Sequence, residues 1–121
     1  MQFTEQHDQF RQSVRGVIAR TIDPYVDAWE DAGAFPGHDL FKALGDSGLF
    51  GLEYDPEFGG QGADHSYTVV LGEELGRIDC GGVPMAISVQ TDMATPALHR
   101  FGSRELKQRY LAPAVRGEMI A

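Results

Sequence analysis

The chain has 121 residues, 42% hydrophobic and 23% charged, the balance of one ordinary globular domain rather than a disordered or repetitive polymer. A formal charge of −8 opposes nucleic acid and anionic membrane surfaces as partners. No run of about eighteen uncharged apolar residues offers a membrane span, and the start, MQFTEQHDQF, has neither a basic nor an apolar leader region, so a cytoplasmic protein is expected.

Taken in chain order, Phe10, Val14, Val17 and Ile18 recur at helical spacing behind Thr4, a residue suited to capping, and predict an amphipathic helix over 5–21 with Arg11, Arg15 and Arg20 on its polar face. DPYVDAWEDAG predicts a second helix, with Asp23 as cap, Pro24 at the first helical position and Gly33 as terminator. The third, from about His38 to Ser47, buries Leu40, Phe41 and Leu44 and stops at Gly48. LFGLEY, 49–54, is the one short stretch with extended character.

Asp64 caps a fourth helix, expected over 64–79, in which Tyr67, Val70, Leu71 and Leu75 face inward while Glu73 and Glu74 face away. From Gly81 to Leu98 the only charged side chain is Asp92, which predicts a central fifth helix with most of its circumference shielded, kinked or interrupted at Pro96. Ser103 caps a sixth, basic helix bearing Leu106, Tyr110 and Leu111, with Pro113 near its end. The fold class is therefore all-α, a bundle of about six helices around one core.

The chemistry-bearing residues are sparse. EYDPEFGGQGADHSYTVVLGEELG places Gly59, Gly60 and Gly62 before a helix, the setting of a phosphate cradle. The dinucleotide pattern fails: His65 stands where a third glycine is needed, no second strand follows, and a Walker lysine is absent. A tight connection using positive-φ glycines is the better reading. His7, His38, His65 and His99 show no metal-ligand spacing, no G-x-S-x-G elbow is present, and Cys80, the single cysteine, excludes an internal disulfide and reads as a small core residue.

Charge is uneven, net −11 over residues 1–99 and +3 over 100–121. The basic end is either a solvated helix face or one that meets an acidic neighbour or a ligand phosphate. Asp92 is either a buried carboxylate satisfied by its neighbours or a ligand-facing group. It shares one helical face with Met85, Ser88 and Val89, at spacings of three and four, and such a strip lines either a cleft or a packed core.

PEFGGQG, EELGRID, QTDMATPAL and FGSRELKQRYLAPAVRGEMIA follow one another in an order that resembles the N-terminal helical domain of the acyl-CoA dehydrogenases, over essentially the whole chain. GGVPMAISVQTDMATPAL is further similar to the subgroup acting on branched terpenoid acids, the citronellyl-CoA type. The resemblance implies an FAD enzyme that removes the α and β hydrogens of an acyl-CoA thioester and passes electrons to an electron-transferring flavoprotein, built as a homo-oligomer of three-domain subunits. Residues 1–121 would be the first domain, with the flavin site, the catalytic glutamate and most of the CoA site beyond Ala121. No catalytic or cofactor-binding residue is then expected here, and the fragment alone is expected to be inactive. By resemblance Met85, Ser88, Val89 and Asp92 are the substrate-binding candidates, as part of the acyl pocket. The rivals are an acyl-CoA oxidase or flavin monooxygenase of the same superfamily, and a stand-alone helical interaction domain.

Overall fold

The computed structural model describes residues 2–121, and among them there are helices and turns but no strand. Helix α1 is Glu5–Thr21, α2 is Val26–Ala32, α3 is Gly37–Asp46 and α4 is His65–Leu75. Helix α5 runs over 82–101 and α6 over 104–115 without a break, each passing through a wide π turn, at Val89–Ala94 and Lys107–Leu111.

Helix starts and stops follow the local chemistry. Thr4 stands in extended backbone before α1, and its N–H donates to Nδ1 of His7 at 3.0 Å. Asp64 accepts the N–H of Ser66 at 2.9 Å, which satisfies one free donor of α4. Gly33 ends α2 with φ +71, and Gly48 follows α3 with φ +79, conformations that side chains disfavour. At the second helix the expectation needs correcting: Ile22 occupies the cap position, Asp23 makes no capping bond, and Asp23–Tyr25 is a tight 3-10 turn leading into α2. Helix α4 stops at Leu75 rather than 79, because the N–H groups of Arg77 and Ile78 turn back to Glu74 and Leu75.

Burial divides into two clusters. The larger joins α1, α3, α4 and the start of α5 through residues such as Val14, Ile22, Phe41, Leu44, Phe50, Leu71 and Ile87. A fully buried side chain of this size contributes about 1.5–3 kcal/mol. The smaller joins Tyr54 and Phe58 to Leu111, Ala112 and Val115, with Leu98 against it. LFGLEY is not a strand: Leu49, Phe50, Leu52 and Tyr54 are all buried, because the segment threads between helices and has no extended neighbour with which to alternate.

Two further expectations are overturned. Glu74 does not face away; it is 2% exposed and holds Arg11 Nη1 and Arg15 Nε at 2.8 Å each, tying α4 to α1. Helix α5 is not shielded around most of its circumference: Met85 and Met93 are 61% and 68% exposed, and Phe101 is 79% exposed. At Pro96, where a kink or an interruption was expected, the helix runs on unbroken, and the disturbance takes the form of the wide turn just before the proline, which absorbs the missing N–H. On α6, Leu111 is buried but Leu106 and Tyr110 are exposed, so only part of the apolar set expected on this helix faces the core.

Candidate functional site

The glycine loop is self-contained. Gly59 and Gly62 have φ of +91 and +64, and a Cβ on Gly60 would stand 2.0 Å from the carbonyl oxygen of Tyr54. The N–H groups of Phe58, Gly59, Gly60, Gln61, Gly62 and Ala63 all donate to carbonyls of 51–56. A phosphate cradle needs several such donors free and convergent, and here each is spent on closing the loop.

What the loop does instead is set one wall of a cleft of about 570 Å³. Leu49, Phe50, Leu52, Glu53 and Tyr54 form that wall, His65, Thr68 and Leu71 of α4 the second, and Thr91, Asp92, Pro96, His99 and Arg100 of α5 the third. The ring of Tyr54 stacks on His99 at 4.6 Å, and its hydroxyl meets Thr95 Oγ1 at 2.7 Å. Burial pushes the Tyr54 phenol up, the Thr95 hydrogen bond acts the other way, and the Glu53 and Asp92 carboxylates add to the upward push. Glu53 accepts from Thr68 Oγ1 at 2.7 Å and stands 3.0 Å from His65 Nδ1. Nε2 of His99 is buried without a hydrogen-bond partner among the described residues; Asp55 Oδ2, at 3.6 Å, is outside bonding distance.

Of the four residues singled out on α5, Asp92 lines this cleft. It is exposed rather than buried, and it has neither ion pair nor hydrogen bond among the described residues, so the satisfied buried carboxylate is not what the structure contains. Met85 is exposed, and Ser88 and Val89 are half-buried, on the turns of α5 before the cleft. The wide turn at Val89–Ala94 changes the register of the helix, and Thr91, Asp92, Pro96 and His99 become the cleft-facing strip. Sequence reasoning missed Thr91 and His99, as well as the opposite wall at Glu53 and Thr68. The available signal was the polar pair Thr91–Asp92 followed by His99 in an otherwise apolar helix.

A second polar cluster joins the starts of α1 and α4. Nε2 of His7 lies 2.6 Å from Ser66 Oγ, which also donates to Asp64 Oδ1. Because the Thr4 N–H occupies Nδ1, the ring proton sits on Nε2 and points at the serine. That polarity is the reverse of a nucleophilic triad, where the histidine must accept from the serine. This group is a cap shared by two helices.

Residues 4–118 match the family model described as Acyl-CoA dehydrogenase, N-terminal domain, and the chain belongs to that family. It is similar to the 3-(aryl)acrylate reductase of Clostridium sporogenes (strain ATCC 15579), 34% identical over 119 residues that make up 98% of this chain and 31% of the relative. The crystal structure of an acyl-CoA dehydrogenase from Geobacillus kaustophilus superposes with a TM-score of 0.89 at 31% identity, covering 98% of this chain and 30% of that one. The glutaryl-CoA dehydrogenase of Mycobacterium smegmatis gives 0.89 at 30% identity, with the same two coverages. The chain thus spans about three tenths of the length of the relatives it matches.

Proposed function

We propose that residues 1–121 are the N-terminal domain of an FAD-dependent acyl-CoA dehydrogenase, and that they form part of its acyl-binding pocket through the α4–α5 cleft and the adjoining face of Met85, Ser88, Val89 and Asp92. The observation that carries this reading is a concave cleft walled by α4 and α5, beside Met85 and Met93 left bare on α5, in a chain about three tenths as long as its relatives. The flavin is not assigned to these residues, because the N–H groups of the glycine loop are bonded within it. FAD would supply the hydride chemistry and, with the catalytic base, would be held by the remainder of the polypeptide. What this chain contributes is a wall that orients the acyl tail and excludes water from it. Electron-transferring flavoprotein as acceptor, homo-oligomeric assembly and a cytoplasmic location complete the proposal.

In the full-length protein, Ser88→Trp adds volume to the proposed wall, a change that costs about 1–3 kcal/mol in tight sites. Its kcat/KM should fall most for long or branched acyl-CoAs and least for short ones. A loss equal across chain lengths, with flavin content and folding unchanged, would remove this face from the pocket.

A further inference from the structure

The cleft has an asymmetric charge distribution where an acyl tail would lie. Asp92, Pro96 and His99 share one face of α5, at intervals of four and three, and Asp92 is the carboxylate on that face. Glu53 on the opposite wall is already engaged by Thr68 and His65. Arg100, the one fixed cation of the lining, lies about 12 Å further along the helix axis, and its guanidinium is 5.5 Å from the centre of the Phe101 ring, which is itself turned to solvent. Among the described residues, Asp92 therefore has no cation at hand. The upward push that Asp92 and Glu53 exert on the Tyr54 phenol registers the same negative field inside the cleft.

We infer that Asp92 is a specificity-determining residue, a charge filter through which the cleft admits acyl groups ending in a neutral group and rejects those bearing a distal carboxylate. The inference rests on the reading of the cleft as the acyl site. An acyl tail lying along α5 displaces the water that screens Asp92, and a second carboxylate there loses hydration without gaining a partner. A neutral tail meets the walls of Leu49, Phe50, Leu52, Leu71 and Pro96 with no such penalty.

The test uses the full-length flavoprotein with adipyl- and suberyl-CoA, each beside the acyl-CoA in which an isopropyl group replaces the distal carboxylate. The readout is the ratio of kcat/KM for the carboxylate to that for its neutral isostere. Asp92→Asn should raise this ratio about tenfold, equivalent to about 1.4 kcal/mol of discrimination, while Asp92→Glu keeps it low. Thr68→Trp, which fills the cleft from α4, locates the acyl group independently. If it leaves acyl preference unchanged, the acyl group does not lie in the cleft and both the site and the filter are wrong. If it shifts preference while Asp92→Asn leaves the ratio unmoved, the filter alone is overturned. A wild-type preference for carboxylates that Arg100→Gln abolishes would also overturn it.

Discussion

Glu74 is the residue on which the packing of α1 against α4 turns. Burial pushes its carboxyl up, but hydrogen bonds from Arg15 and Arg11, together with their charges, more than offset this and hold it below the usual carboxylate range. A carboxyl with a depressed folded-state pKa adds stability above its unfolded value of about 4.3, and that contribution is lost as pH falls through the folded pKa. The protein should therefore lose stability in acid below about pH 4, and Glu74→Gln should flatten that part of the profile. Both arginines reach solvent, so Glu74→Ala is expected to cost about 1–3 kcal/mol, less than breaking a fully enclosed pair. Chemical denaturation from pH 7 down to pH 3 checks both; identical acid profiles for wild type and Glu74→Gln would refute the assignment. This contact was only half legible in the sequence. Arg11 and Arg15, one turn apart, were visible on the polar face of α1, but the adjacent glutamates of EELG gave no sign of which one turns inward. Only the tertiary pairing distinguishes Glu74, at 2% exposed, from Glu73, whose side chain is 52% exposed.

Helix α5 shows why a composition-based reading recovers an element and still misplaces its surface. Its length and apolar character were legible, as was a disturbance at Pro96. The form of that disturbance was not, because it depends on partners distant in sequence. Pro96 lacks an N–H and crowds the carbonyl of Asp92, and the helix answers by widening over Val89–Ala94. Thr95 Oγ1 donates to the carbonyl of Gln90 at 2.7 Å, and the Tyr54 hydroxyl braces Thr95 from the glycine-loop side. Thr95→Val keeps the shape but removes the hydroxyl bond to the Gln90 carbonyl and leaves the Tyr54 hydroxyl only the longer bond it donates to the Thr91 carbonyl at 3.4 Å, an expected loss of about 1–3 kcal/mol. Thr95→Ser should retain most of the wild-type stability. The urea midpoint of the two variants decides it, and equal losses would mean that the methyl packing of Thr95, not its hydroxyl, supports the turn.

At the scale of the whole molecule, the order of the six helices and the role of the glycine loop could be read from caps, terminators and spacing, which are local signals. Register across helices could not. Gly45 and Gly117 illustrate this: a Cβ on Gly45 would stand 2.3 Å from the backbone of Arg116, and one on Gly117 2.0 Å from the carbonyl of Phe41. Neither glycine sits in a motif that announces such a crossing. The division of the interior into two clusters has a consequence for how the molecule opens. The smaller cluster, which seats α6 on Tyr54 and Phe58, buries far fewer side chains than the larger one holding α1, α3 and α4. Partial opening is governed by the apolar area each unit must expose, so α6 should detach while the larger cluster stays closed. In hydrogen–deuterium exchange, the amides of Leu111 and Val115 should then exchange well before those of Val14 and Leu71, all four being fully or nearly fully buried. Protection factors that coincide at all four positions would mean that the two clusters open only together, and that the molecule has a single threshold for unfolding rather than a graded one.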